Sequence, residues 1–127
     1  MSEESIPGWS TFLDWFGFEP NFHDAEIVSI DLRRDPEPSI VRIHAWRTTV
    51  GEDGFYRHDH GATVSFFLKG ISHQELQGWN HQNVLDGVSW KKEEDGYALF
   101  LEDCWGAGGE FKAAELWVEI AARDASV

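Results

Sequence analysis

The stretch EIVSIDLRRDPEPSIVRIHAWRTT, residues 26–49, decides the fold class of this chain. From Glu26 to Arg34, Val28, Ile30 and Leu32 alternate with Ser29, Asp31 and Arg33, the two-residue period of a strand with one apolar face. Asp35-Pro36-Glu37-Pro38 then breaks the run, because a proline nitrogen has no hydrogen to give a ladder. Alternation resumes from Ser39 to Thr49, with Val41, Ile43 and Ala45 toward one side and Arg42, His44 and Trp46 toward the other.

Working outward, four more strands are expected. Ala62 to Lys69 sets Val64, Phe66 and Leu68 in register, and Asn83 to Lys91 is weakened in its middle by Asp86-Gly87. Tyr97 to Cys104 and Phe111 to Ala121 follow, the last alternating Glu115, Trp117 and Glu119 against Leu116, Val118 and Ile120. Gly51 to Gly61 reads as a polar loop, Glu93-Glu94-Asp95-Gly96 as an acidic turn and Trp105 to Gly109 as a glycine-rich one. Within Ile71 to Trp79, Ser72-His73-Gln74-Glu75 has the form of a cap for a single helical turn. Before the strands, Ser10 can cap a short helix from Trp9 to Phe16, which Gly17 stops and Pro20 prevents from resuming. Its side chains Phe12, Leu13, Trp15 and Phe16 nearly encircle it, so it should bury several aromatics. Consecutive strands with short connections predict an α+β fold. Its plan is a single antiparallel sheet of about six strands, meander-like, with the N-terminal helix packed on one face.

The 127 residues amount to one domain, residues 1–127, long enough to bury about two-thirds of the unfolded surface. Ten basic residues against 23 acidic ones give a net charge of −13. That balance argues against nucleic acid, which asks for a basic face, and against an anionic membrane. It suits a basic protein partner, although plain solubility explains it as well. Cys104 is the single cysteine, so no internal disulfide forms and a reducing compartment is expected. Met1 to Pro7 has no apolar run of the signal-peptide kind, and no stretch approaches the roughly 18 apolar residues of a membrane helix. The expected location is cytoplasmic.

Few residues carry chemistry. His58-Asp59-His60 offers metal-ligand types, and in an extended segment His58 and His60 point the same way. A third ligand would have to come from His23, Asp24 or His44; the alternative is a solvated loop. In Phe22-His23-Asp24-Ala25-Glu26, Asp24 could orient His23 as a general base. Adjacent side chains diverge in a strand, however, and the favoured reading is a strand-entry motif that satisfies loop backbone groups. Strand parity groups Cys104 with Ala98 and Phe100, as a buried structural cysteine. The Gly106 to Gly109 loop lacks the following Lys-Ser/Thr and helix of a phosphate cradle, so it reads as a tight turn. No catalytic residue and no cofactor is expected. The sheet face away from the helix carries Arg42, His44, Trp46, Ser65, Phe67, Glu115, Trp117 and Glu119, a mixture of aromatics and charge that suits a partner surface. Trp46, Phe67 and Trp117 are the candidate anchors and Glu115 and Glu119 their charged surround. A covering loop, or a second copy of the chain in a homodimer, is the alternative.

Several segments together resemble the bacterial immunity protein 50 family. These are Phe12 to Gly17, Pro20 to Glu26, Phe66 to Ile71, Leu76 to Leu85 and Gly106 to Phe111, in order and across nearly the whole chain. The His-Asp-Ala-Glu and Asn-x-Gln-Asn pieces are moderately specific together and weak apart. The resemblance implies an inhibitor that neutralises a polymorphic toxin from the same or a neighbouring cell, and it brings no catalytic residues. For the motif residues His23, Asp24, Glu26, Asn80, Gln82 and Asn83 a structural part is preferred, with the amides stitching a loop to backbone groups; direct partner contact is the alternative. Two other functions stand beside this one: a small metal-binding hydrolase or sensor built on His58 and His60, and a self-associating domain.

Overall fold

Strand periodicity carries most of the chain into sheet, in the order α1 (Trp9–Phe16), β1 (Glu26–Asp31), β2 (Ser39–Val50), β3 (Tyr56–Gln77), β4 (Val84–Glu93), β5 (Gly96–Trp105) and β6 (Gly108–Ala122). The computed structural model describes residues 6–17 and 22–122, apart from the side chains at 16, 47–49, 56–60 and 122. All six expected strands are present and every pairing is antiparallel. The sheet does not stay open. Its hydrogen-bonded order, β1-β2-β3-β6-β5-β4, closes into a barrel. The expected meander therefore holds only within each half, because β4 follows β3 in the chain while β3 pairs with β6. Closure is made at one point, the single ladder pair Glu26↔Val84, so it joins β1 and β4 only where the two strands overlap.

β3 is the longest strand, 22 residues from Tyr56 to Gln77. It absorbs both the end of the expected polar loop and the expected helical turn at Ser72-His73-Gln74-Glu75. A side-chain cap satisfies one or two amides, whereas the ladder against β6 pairs this segment from Ile71↔Ala113 to Gln77↔Gly108. The change of direction that looked like a turn is a bend within the strand. Gly70 takes φ 70° and a bulge separates Ile71 from His73. A second bulge, between Ile27 and Ser29, displaces Val28 from the inward row, while Ile30 beyond it still packs on the core and Leu32 lies past the end of β1. Ile27 is buried, while Val28 and Leu32, expected inside, are 44% and 50% exposed.

The interior is one cluster fed by alternate residues: Val41, Ile43 and Ala45 from β2, Val64, Phe66 and Leu68 from β3, Leu99 and Leu101 from β5, Leu116 and Val118 from β6. A closed barrel has an inside and an outside in place of two open faces, and α1 gives Trp9 and Phe12 to the inside cluster. The Trp9 ring meets Trp90 edge-on at 4.7 Å, and Phe12 stacks with Phe22 at 6.1 Å. The helix has the expected span, but its N-cap is Gly8, two residues before Ser10, with no side-chain cap. Space explains the choice, because a β-carbon at Gly8 would run into the Val118 carbonyl, and the Val118 amide donates to Pro7 O at 2.9 Å. Gly17 ends the helix in the left-handed region, its amide donating to Leu13 O at 2.8 Å.

Phe12 is fully buried. Phe12→Ala should cost about 3–5 kcal/mol of stability. Urea denaturation should show this as a lower midpoint at unchanged slope.

Candidate functional site

The segments singled out by sequence converge where the barrel closes. β1 and β4 share a single ladder pair, Glu26↔Val84. Around it the Asp24 amide donates to Leu85 O (2.9 Å), the Leu85 amide to Ala25 O (2.7 Å) and the Ile27 amide to Asn83 O (2.9 Å). To present these groups, Phe22 and Asp24 adopt positive φ, 57° and 66°. Such a conformation costs an L-residue about 1–2 kcal/mol, less for Asp, whose short side chain tolerates it. Outside the seam, His23 Nδ1 lies 3.0 Å from Asp86 Oδ1, and Gln82 Nε2 donates to Glu26 Oε1 at 3.3 Å. His23 Nε2 is 3.7 Å from Asp24, with both side chains more than half exposed, so water weakens the pair.

Asn83 is the buried centre of this region. Its Oδ1 accepts from the Asn80 amide (2.9 Å) and from the Ala107 amide (2.8 Å), and its Nδ2 donates to Asn80 O (2.9 Å). One carboxamide thus ties the β3–β4 loop to the β5–β6 turn. Gly106, at φ 87°, packs against it so closely that a β-carbon would sit 2.5 Å from Asn83 Oδ1. His23, Asp24, Glu26, Asn80, Gln82 and Asn83 therefore all lie at the closing seam, in contact with other parts of this chain.

The candidate partner surface lies elsewhere, on the outside of β2, β3 and β6. Register places Ile40, Phe67 and Trp117 in one row and Arg42, Ser65 and Glu119 in the next, with Lys69 opposite Glu115. The Phe67 and Trp117 rings stack with centroids 5.3 Å apart and planes 2° from parallel. Both are half-buried, and Glu115 and Glu119 stand exposed two residues to either side of Trp117. Trp46 falls at the register shift between Ala45 and Arg47, six residues from Ile40, about 20 Å along the strand at the usual rise. The structure thus gathers Phe67, Trp117, Glu115 and Glu119 and leaves Trp46 apart from them.

Cys104 is exposed, not buried. Leu99 and Leu101 take the inward positions of β5, and Phe100, which parity had placed inside, is an outer residue under Lys91 Nζ at 5.8 Å. The backbone of His58 pairs with Thr48, but the side chains of His58 and His60 lie outside the described residues. Two features escaped the sequence reading. Trp79, in the β3–β4 loop, and Trp105, the last residue of β5 opposite Val84, are 52% and 56% exposed beside the seam. His73, Glu75 and Glu110 place donor atoms within 4.8 Å of one another. The helical-turn reading of Ser72 to Glu75 hid this group; read as strand, His-x-Glu puts both side chains on one side.

With this geometry in hand, a family model described as Immunity protein 50 matches residues 11–122. No curated protein and no solved structure matches the chain.

Asn83→Ala would strand the Asn80 and Ala107 amides. The expected loss is about 1–3 kcal/mol of stability. Hydrogen exchange at the Ala107 amide should accelerate more than exchange in the β2–β3 ladder.

Proposed function

We propose that this chain, which belongs to the Immunity protein 50 family, is a non-enzymatic binding protein that neutralises a bacterial toxin by covering its working surface. Family membership across residues 11–122 is the observation that carries this reading. The proposed contact surface is the Phe67–Trp117 stack with Glu115 and Glu119 beside it, joined by Trp46 where the partner is wide enough to span β2. Stacked rings offer a rigid apolar anchor at low entropic cost, and aromatic residues dominate the energetics of protein interfaces. The net charge of −13 favours a basic toxin domain, whose approach it would speed and orient. Occlusion asks for no cofactor.

The proposed place of action is the cytoplasm, where an incoming toxin would be met; no helix among the described residues is long and apolar enough to cross a membrane.

The test is co-purification of the tagged chain with the product of its neighbouring gene, above all one with a toxin-like C-terminal domain. A one-to-one complex that silences the toxin supports the reading; a well-folded neighbour that neither binds nor is silenced overturns it. Within such a complex, Trp117→Ala should weaken binding by about 2 kcal/mol, near thirtyfold in Kd. Reversing charge at Glu115 and Glu119 together should slow association and flatten its dependence on salt. An unchanged association rate would remove this face from the interface. A solution mass of twice the chain, lost on Trp117→Ala, would instead give the face to self-association.

A further inference from the structure

Beyond the bulge between Ile71 and His73, β3 turns His73, Glu75 and Gln77 outward, opposite Lys112, Glu110 and Gly108 of β6. Glu75 and Glu110 are direct cross-strand partners, so two carboxylates face each other where like charge is unfavourable. The nearest cation on the ladder does not resolve this, since Lys112 Nζ lies 3.7 Å from Glu93 Oε1. Among the described residues no ion pair engages Glu75, and Glu110 has only His73, whose Nε2 is 3.8 Å from Glu110 Oε1. One donor atom from each of His73, Glu75 and Glu110 falls within 4.8 Å of the other two. Both carboxylates also line an open cleft of about 450 Å3, shared with Phe100, Glu102 and Asp103.

We propose that His73, Glu75 and Glu110 form a binding site for a divalent first-row transition metal of the zinc class, with its remaining coordination positions open to the cleft. The donor set decides the class. One imidazole nitrogen with two carboxylate oxygens suits zinc, cobalt or nickel, whereas calcium and magnesium favour oxygen alone. Tetrahedral zinc holds such donors about 2.1 Å from the ion, hence about 3.4 Å from one another. The present spacing, up to 4.8 Å, needs a contraction of up to about 1.4 Å, within reach of rotamer changes in side chains at the surface. A bound dication would neutralise the facing carboxylates and clamp the β3–β6 ladder at its outer end. The site does not depend on the proposed immunity function, and its test involves no toxin.

The experiment is a calorimetric titration of the untagged, chelator-treated full chain with zinc chloride, repeated with cobalt(II) and read by visible absorption. One zinc per chain is expected, with a rise in Tm on binding. His73→Ala, Glu75→Gln and Glu110→Gln should each weaken binding at least about tenfold. Glu37→Gln, in the exposed turn between β1 and β2, should leave the affinity unchanged. His73 and Glu75 are exposed, so their variants should keep the wild-type circular dichroism spectrum, and either is sufficient if Glu110→Gln misfolds. Absence of saturable zinc binding overturns the proposal. So does binding that survives all three substitutions, or that disappears only with His58→Ala and His60→Ala.

Discussion

Closure of the barrel between β1 and β4 is the constraint on which the other features depend. β3 and β6 pair from Ala62↔Ala122 to Gln77↔Gly108, whereas β1 and β4 meet at one ladder pair and three adjacent backbone hydrogen bonds. If that seam opened, β1 and β4 would lose their one link, and Phe22 and Leu85 their enclosure. The seam is short because the chain reaches it through two irregular approaches, the positive-φ turn at Phe22 to Asp24 and the loop at Asn80 to Asn83. Irregular backbone leaves amides without ladder partners, and buried amides must find other acceptors. The Asn83 carboxamide supplies one for the loop and for the following turn together, which is why a polar side chain sits almost fully buried here.

The aromatic interior and the seam support each other. Phe22, placed by its positive φ, stacks with Phe12 and meets Phe66 edge-on at 6.1 Å, while Trp9 abuts both Phe22 and Trp90. Residues from α1, the turn before β1, β3 and β4 thus converge on one ring cluster, and it is burial of those rings that holds the helix to a barrel with which it shares few backbone bonds. The close approach at Gly8 fixes the entry of the helix against β6.

The same geometry separates the motif segments from the outer rows of β2, β3 and β6. The His-Asp-Ala-Glu stretch, the Asn-x-Gln-Asn stretch and the glycine turn all make contacts within this chain, at one seam. Side chains engaged in closing a barrel are held by contacts within the chain. The outer rows of β2, β3 and β6 are under no such constraint. Their register fixes only which side chains stand side by side, and here it sets Phe67 against Trp117 between two carboxylates.

The sequence by itself determined the six strands, the short helix and its glycine stop, and the outward rows on β2, β3 and β6, because each is written in a two-residue or helical period over consecutive residues. It also carried the family, through segments spread along the chain. Tertiary structure alone decided that the sheet closes, that β3 runs on through Ser72 to Glu75, that Val28 and Leu32 face out, and that Cys104 is exposed. Cys104 follows the outward parity of Phe100 in a strand that is apolar at both parities, with Leu99 and Leu101 inside; for the continuation of β3 and for Val28 the reason is register. Periodicity records which side of a strand a residue takes only until a bulge adds a residue to one strand and not to its partner. Whether a bulge, a bend or a turn forms at Ile27, Gly70 or Ile71 depends on which distant backbone groups are available to pair. His73, Glu75 and Glu110 meet for the same reason: one ladder, set by residues far apart in the chain, puts them opposite each other.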